Sequence, residues 1–194
     1  MTTLILSRHG HVEGITPARF RGRVEVPLSA HGEAQAAAVA ARISSRFTPV
    51  AVYTSQLERC RVTGGLIAAA CGVASDALEG LADIHYGDWQ WQTLDEVAQA
   101  HAAAYALWRS APQFTRFPNG ESLQDVRHAG EQVVLVGHDS VNRVLLCHLL
   151  DLPLSAYWRL AQDPCNLTVL DLSGQTAWLL QMNDTAHLEA LRSA

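Results

Sequence analysis

The chain has 194 residues, a length typical of one domain with a single core, and we expect one domain over residues 1–194. Its 48% hydrophobic and 17% charged residues exclude a disordered chain. The net charge of −5 argues against a nucleic-acid partner, and no apolar run reaches the ~20 residues of a membrane helix, so we expect a cytoplasmic protein without a membrane partner.

The predicted elements alternate between strands and helices along the chain. In chain order we predict a strand over residues 3–7, a helix from its cap Ser29 to about residue 45, a strand over 50–54, a helix over 57–71 that Gly72 ends, a short strand over 74–78, a helix over 94–109, a strand over 132–136, a helix from Ser140 or Asn142 to Leu150, and two strands over 167–172 and 177–180 joined by a turn at Ser173 and Gly174. This alternation predicts an α/β fold, a three-layer sandwich whose mostly parallel central sheet carries helices on both faces.

Basic residues follow three of the predicted strands. Arg8 and His9 follow the first strand, Arg59 lies on the first turn of the helix after the second, and His138 follows the strand over 132–136. Ligands of open α/β sheets bind beyond the carboxyl ends of the strands. A cation at a helix N-terminus is unfavourable unless an anion lies nearby, so these positions predict an anion site at one edge of the sheet.

The tripeptide Arg8-His9-Gly10 combines groups that phosphoryl transfer needs. An imidazole attacks phosphorus only when it is neutral, and a neighbouring arginine favours the neutral form because it disfavours a second positive charge. Arg8 is suited to bind two phosphate oxygens at once, and Gly10 lets the backbone approach a ligand closely. With Arg59 and His138, the tripeptide forms our candidate phosphate site.

Four motifs, in this order and spacing, resemble the histidine phosphatase superfamily, in its phosphoglycerate-mutase-like branch. The motifs are Arg8-His9-Gly10, Ser55-Gln56-Leu57-Glu58-Arg59 with Thr63, the stretch from Leu81 to Trp89, and Gly137-His138. Further matches are Arg21-Gly22, Pro27-Leu28-Ser29 with Gly32, and Asn119-Gly120-Glu121-Ser122. The resemblance therefore covers nearly the whole chain.

The resemblance implies a phosphatase that acts on a small phosphorylated metabolite without metal or cofactor. His9 is expected to attack the phosphoryl group and to form a phosphohistidine, which water then hydrolyses. Arg8, Arg59 and His138 are expected to bind the phosphate and to stabilise the charge that builds on its oxygens.

The resemblance also implies a proton donor and a rim that contacts the substrate. The acid of the family is usually a Glu, and Asp83 stands at that position, where it is expected to protonate the leaving alcohol. Asp88 is the rival acid. Arg21, His85 and Tyr86 are the expected substrate-binding residues.

Two of the departures from the family pattern concern the substrate face and the packing of the sheet. Trp89-Gln90-Trp91-Gln92 stands where Trp-Glu-Gly is usual, which predicts a different substrate face. Residues 122–132 are too few for the full helix that relatives have there. If that helix is absent, we expect an underpacked sheet face that a second subunit, in a homodimer, would cover.

A metal site is one alternative. His9 and His11 form an HxH pair, and Asp83 and His85 lie near each other in a later motif. The pattern lacks a further ligand at a matching spacing. The four cysteines form no CxxC pair, and we expect reduced, buried thiols at Cys60, Cys71, Cys147 and Cys165. We expect no bound metal.

Two alternatives concern the activity itself. A phosphoglycerate mutase shares the motifs but carries a longer insertion that keeps water from the phosphohistidine, and residues 91–120 show no such insertion. A catalytically weak binding or scaffold protein of the same fold is the second alternative, although Arg8, His9, Arg59 and His138 are all present. An assay over a panel of phosphomonoesters that includes 3-phosphoglycerate, with both phosphate release and mutase product measured, separates the three.

Overall fold

The computed structural model of the chain describes residues 3–15, 17–112, 115, 117–119, 133–172 and 176–192. Its strands are β1 (Thr3–Arg8), β2 (Val52–Thr54), β3 (Ser75–Ala77), β4 (Val133–Gly137), β5 (Leu167–Asp171) and β6 (Trp178–Asp184). Its α-helices are α1 (Ala30–Arg46), α2 (Glu58–Cys71), α3 (Leu94–Ala100), α4 (Ala102–Ser110), α5 (Asp139–Leu149) and α6 (Glu189–Arg192). The segment predicted to be short, 122–132, and the turn predicted at Ser173 and Gly174 lie outside the described residues.

The strands form a sheet in the order β3-β2-β4-β1-β5-β6. The pairs β2–β3, β2–β4 and β1–β4 are parallel, whereas β5 runs antiparallel to both β1 and β6. The predicted α/β fold with a mostly parallel sheet is therefore confirmed. Because β4 lies between β1 and β2, the carboxyl ends of the three strands that precede the predicted basic residues are neighbours.

Helices cover both faces of the sheet because apolar side chains alternate along its strands. On one face, Ile5 and Val134 pack with buried residues of α1 and α2. On the other face, Leu4 and Leu6 pack with Leu146 of α5. Each face thus buries its own apolar cluster, and the three-layer arrangement follows from this.

A third cluster is aromatic and lies around the segment that follows β3. Trp89 is fully buried there, with its ring centroid 5.2 Å from that of Phe20 and 5.1 Å from that of Phe117. Trp108 and Tyr157 extend the cluster. Edge-to-face ring contacts of this kind stabilise a rigid wall, and Phe20, Trp108 and Tyr157 also line the cleft described below.

Capping residues in the sequence predicted some helix ends correctly but missed one break within a predicted helix. Ser29 caps α1 by accepting a hydrogen bond from the Gly32 N–H, and Gly72 ends α2 with a left-handed φ of 68°, as predicted. The single helix predicted over residues 94–109 is wrong, because His101 leaves the helical region (φ −133°, ψ 43°) and separates α3 from α4. The His101 ring stacks on Trp89 instead.

Several boundaries also differ from the sequence predictions. Helix α5 begins at Asp139, before both predicted starts at Ser140 and Asn142, and β6 continues to Asp184 rather than ending at Leu180. Within the described residues, none of the helices is both long and apolar enough to span a bilayer.

Candidate active site

The register of the sheet brings two predicted histidines together. Arg8 at the end of β1 is paired with Gly137 at the end of β4, so the residues that follow, His9 and His138, leave the sheet side by side. The His9 N–H donates to the Gly137 carbonyl at 3.2 Å, and the two imidazole centroids lie 5.3 Å apart. Parallel pairing therefore assembles a site from segments about 130 residues apart in the chain.

A cleft of about 250 Å³ opens at this edge of the sheet. Five predicted site residues are among those that line it, namely Arg8, His9, Arg21, Asp83 and Tyr86. Arg59 and His138 do not line it but lie directly behind it, with Arg59 fully buried and His138 only 1% exposed. The predicted residues thus form two layers around one cavity.

His9 is held as a neutral imidazole with one free nitrogen. Its Nδ1 lies 2.7 Å from the carbonyl oxygen of Gly10. Because a carbonyl oxygen only accepts, we assign the proton to Nδ1, which leaves the lone pair on Nε2. Burial lowers the pKa of His9 well below its usual value, and the nearby His138 and Arg8 lower it further. This is the state that a nitrogen nucleophile requires.

The backbone turn after His9 is fixed by tight packing. The Gly10 N–H donates to the Thr63 hydroxyl at 3.2 Å, and that hydroxyl donates to the Arg59 carbonyl at 2.8 Å. A Cβ at Gly10 would lie 2.4 Å from the Gly32 carbonyl oxygen, so a side chain does not fit there. Thr63 and Gly32 of the motif therefore set the position of the loop that carries His9.

Arg59 ties the site to the loop that follows the first strand. Its Nη1 donates to the Val24 carbonyl at 2.8 Å, and its Nη2 donates to the Gly22 carbonyl at 2.7 Å. Nη2 also lies 3.5 Å from Oδ2 of Asp83 and 3.4 Å from Nδ1 of His138. The guanidinium thus places a full positive charge between the predicted acid and the second histidine.

Asp83 is buried at the cleft, with one carboxylate oxygen held by two hydrogen bonds and the other beside the Arg59 guanidinium. Its Oδ1 accepts hydrogen bonds from the Ile84 N–H at 2.9 Å and from the Ser140 hydroxyl at 2.5 Å. Its Oδ2 faces Arg59 and lies 3.6 Å from Nδ1 of His138. Burial raises the pKa of Asp83, while Arg59 and the Ser140 hydrogen bond oppose that rise. A carboxyl with a raised pKa is a better proton donor near neutral pH.

Arg8 is anchored by residues that the sequence analysis did not select. Its Nη1 donates to the Gln162 carbonyl at 2.8 Å. Asn142 in turn donates through Nδ2 to the Gln162 side-chain oxygen at 3.0 Å and to the Ser7 carbonyl at 3.1 Å. Gln162 carries no local sequence signal, since only the tertiary fold brings it to Arg8, whereas Ser140 is recognisable as a polar residue two positions after His138.

Burial also affects Arg21, which lines the cleft. Its Nη1 donates to the Gly14 carbonyl at 2.6 Å. Burial, together with the charge of Arg8, lowers its pKa to about 10. The guanidinium still carries its charge at neutral pH and adds to the positive field of the cleft.

Other candidates lie away from this cavity. Asp88 is exposed and accepts hydrogen bonds from the Asn119 amide at 3.1 Å, so the rival acid is not at the cleft. His11 contacts Ser29 through Nδ1 at 2.8 Å. His85 accepts a hydrogen bond from the Gly87 N–H and is not among the described residues that line the cleft. Its expected contact with substrate remains a prediction.

The described residues contain no group of three or more His, Cys, Asp or Glu side chains arranged to hold a metal ion. Described cysteines are all free thiols, of which Cys60, Cys147 and Cys165 are buried. The charged side chains that line the cleft are four arginines and two aspartates, namely Arg8, Arg19, Arg21, Arg109, Asp83 and Asp139.

Comparison with known proteins places the chain among phosphoryl-transfer enzymes. A family model described as the histidine phosphatase superfamily (branch 1) matches residues 4–185. Phosphoserine phosphatase 1 of Hydrogenobacter thermophilus is 29% identical over 97% of this chain and 95% of its own length. A Klebsiella pneumoniae protein described as "Probable phosphoglycerate mutase GpmB" is 28% identical over 98% of this chain and 96% of its own. The solved structure of Bacillus stearothermophilus YhfR, 28% identical, superimposes with a TM-score of 0.87 over 97% of this chain and 100% of its own.

Proposed function

The chain belongs to the histidine phosphatase superfamily, and from this premise we propose that it hydrolyses phosphate monoesters of small metabolites through a phosphohistidine at His9. The observation that carries the proposal is the hydrogen bond from His9 Nδ1 to the Gly10 carbonyl. It leaves Nε2 unprotonated in a cleft that Arg8 and Arg21 make positive. Relatives that resemble the chain over nearly its whole length include a phosphatase and a protein described as a mutase.

In the first step, His9 Nε2 forms a bond to phosphorus while the bond from phosphorus to the ester oxygen breaks. The lowered pKa of His9 keeps the attacking lone pair free at neutral pH. Arg8 and Arg59 supply positive charge around the phosphoryl oxygens, and His138, whose pKa burial lowers, acts there as a neutral imidazole donor. Nε of Arg8, which lines the cleft, is buried without a hydrogen-bond partner in the described part of the chain, which supports an anionic ligand beside it.

The leaving alkoxide takes the proton of Asp83. The carboxyl lines the cleft, and burial favours its protonated form. Ser140 and the Ile84 N–H hold Oδ1, so Oδ2 is the oxygen available for proton transfer. Ser140 thereby acts as a positioning residue for the acid.

In the second step, a water molecule attacks the phosphohistidine. The oxygen of water bonds to phosphorus, the bond from phosphorus to Nε2 breaks, and the Asp83 carboxylate takes a proton from the water. Inorganic phosphate leaves, and His9 and Asp83 return to their starting states. The charges of Arg8 and Arg59 stabilise both transition states, so the proposed reaction needs no metal ion.

Trapping of the intermediate tests the proposal. Rapid acid-free quenching after mixing with a 32P-labelled monoester is expected to give labelled protein that survives alkali and loses its label in acid, as a phosphoramidate does. His9→Ala is expected to abolish both the label and the hydrolysis of 4-nitrophenyl phosphate. His11→Ala is the matched control, because its ring contacts Ser29 outside the cleft, and it is expected to retain both. Hydrolysis that survives His9→Ala would refute the proposed nucleophile and favour a different chemistry.

Transfer to a second alcohol instead of water is the mutase alternative, which the Klebsiella relative supports. The short stretch between Trp91 and Gly120 favours transfer to water, because it contains no long insertion that would exclude water. Incubation with 3-phosphoglycerate, with both phosphate release and 2-phosphoglycerate measured, distinguishes the two. Absence of both products over a panel of monoesters would support the binding or scaffold alternative.

We also propose that the protein resides in the cytoplasm and forms a homodimer. Free, mostly buried thiols suit a reducing compartment. On β6, an edge strand of the described sheet, Trp178 and Leu180 are 65% and 62% exposed, which suits contact with a second copy. Light scattering after size-exclusion chromatography is expected to give twice the chain mass, and a monomer would refute the second proposal.

A further inference from the structure

Trp91 adopts a backbone conformation that disfavours it. Its φ is +68°, in the left-handed region that glycine enters freely and bulky residues rarely enter. The backbone is held there by a hydrogen bond from its N–H to the Phe20 carbonyl at 2.7 Å, and its own carbonyl accepts from Arg19 Nη1 at 2.7 Å. Glycine would make both backbone contacts without strain, so neither contact explains an indole at this position.

The indole does not contribute to the core either. The Trp91 side chain is 41% exposed, whereas its neighbour Trp89 is fully buried in the aromatic cluster. A strained and exposed tryptophan is typical of a residue retained for contact with a ligand.

Trp91 borders an open depression of about 690 Å³ that is distinct from the catalytic cleft. Apart from Trp91, the depression is lined mainly by polar side chains, namely Arg19, Gln90, Gln92, Glu96 and Gln99. Arg19 also lines the cleft that contains His9. Arg19 is thus common to the two cavities, so the depression borders the side of the cleft that Arg19 lines.

We propose that this depression is a sugar subsite, which binds a second ring of a phosphorylated glycoside whose phosphate lies at His9. The inference rests on the proposed phosphatase function. An exposed indole presents a flat apolar surface that suits the C–H face of a sugar ring. Amide side chains both donate and accept hydrogen bonds, as sugar hydroxyls do, and Gln90, Gln92 and Gln99 bring three amides to the depression.

Several of these side chains are already held in place. The Gln90 side-chain oxygen accepts from the Arg23 N–H at 3.1 Å, and the Gln92 side-chain nitrogen donates to the Asp88 carbonyl at 2.8 Å. The Arg19 guanidinium lies 5.5 Å from the centre of the Trp91 ring. Such contacts reduce the entropy that the side chains lose when a ligand binds.

The test compares two ligands that differ only by a second ring. Dissociation constants of glucose 6-phosphate and trehalose 6-phosphate are measured by calorimetry on full-length His9→Ala protein, so that neither ligand is consumed. We expect the disaccharide phosphate to bind about threefold to tenfold more tightly. Adding Trp91→Gly is expected to remove that preference without lowering the melting temperature, and Trp91→Phe is expected to restore part of it. Leu66→Ala, which removes a comparably exposed apolar side chain on α2, is the matched control and is expected to keep the preference.

Three results overturn the subsite. They are equal affinity for the two sugar phosphates, no detectable binding of either, and a preference that survives Trp91→Gly. A dependence on Trp91 seen only when adenosine 5′-monophosphate is compared with ribose 5-phosphate would also overturn it, in favour of a base-binding site. Failure of the proposed function appears separately, as the absence of 4-nitrophenyl phosphate hydrolysis by the unmodified protein.

Discussion

Replacement of Asp83 by asparagine removes the proposed proton donor while it keeps the shape of the side chain. The amide oxygen still accepts from the Ile84 N–H and from the Ser140 hydroxyl, which now hold the carboxylate Oδ1. The amide nitrogen replaces Oδ2, which lies 3.5 Å from Arg59 Nη2. Arg59 keeps its two carbonyl acceptors, so we expect Asp83→Asn to fold and to bind phosphate.

The size of the effect depends on the leaving group. General acid catalysis contributes about 10²- to 10⁴-fold, or about 2.7–5.4 kcal/mol of barrier at 1.36 kcal/mol per tenfold. The leaving group of an alkyl monoester is a strongly basic alkoxide, which needs this proton. The leaving group of 4-nitrophenyl phosphate is 4-nitrophenolate, a weak base that leaves without it. Asp83→Asn is therefore expected to lower kcat/KM at least about 100-fold for an alkyl monoester and less than about tenfold for 4-nitrophenyl phosphate.

Steady-state kinetics with the two esters, measured from pH 5 to 9, provide the assay. In the unmodified protein, kcat/KM for the alkyl ester is expected to fall as the pH rises through the raised pKa of Asp83, and this decline is expected to vanish in Asp83→Asn. Ser140→Ala is expected to cause a smaller loss for the alkyl ester, because it frees Oδ1 without removing the acid. Equal losses for both esters, or no loss for either, would refute Asp83 as the proton donor.

Two further predictions concern stability. Burial lowers the pKa values of His9 and His138, so below about pH 6.5 the unfolded chain binds protons that the folded chain does not. The free energy of unfolding therefore falls by up to about 1.4 kcal/mol per histidine between pH 7.5 and 5.5. The raised pKa of Asp83 changes stability in the opposite direction. The check is therefore urea unfolding of His138→Gln at both pH values. Its loss of unfolding free energy between them should be smaller than that of the unmodified protein by about 1 kcal/mol, and an unchanged loss would contradict the reasoning. Gly64→Ala is expected to destabilise the protein by about 1–3 kcal/mol, because the added Cβ would lie 2.2 Å from a methyl group of β2. Gly65→Ala is expected to stabilise α2 by about 0.5–1 kcal/mol, because its added Cβ would have no neighbour within 4 Å. Thermal unfolding of both variants compares them, and a destabilised Gly65→Ala would contradict the open space at that position.

Local chemistry along the chain was sufficient to predict the layers of the fold. Apolar runs such as the one that ends at Arg8 are strands because alternating side chains must be buried on two faces of a sheet. Ser29 and Gly72 predicted helix ends because capping and left-handed φ depend on single residues. The break at His101 was not predictable in this way, because the stacking partner of its ring, Trp89, lies 12 residues earlier in the chain.

The sequence by itself determined which chemical groups are available, namely Arg8, His9, Asp83, Arg59 and His138. The positions of Arg8, His9, Arg59 and His138 after predicted strands made their proximity predictable. Only the tertiary structure decided their states and supports. The tautomer of His9 follows from a carbonyl 2.7 Å away, and the raised pKa of Asp83 follows from burial.

The same distinction applies to the residues that the sequence analysis passed over. Gln162 anchors Arg8 across 154 positions of the chain, and Trp91 gains its meaning from a φ of +68° and from its place beside a depression that Arg19 shares with the cleft. The residue type is known at each position of the sequence. Burial, hydrogen-bond direction and backbone strain depend on contacts between distant segments, which no local sequence pattern contains.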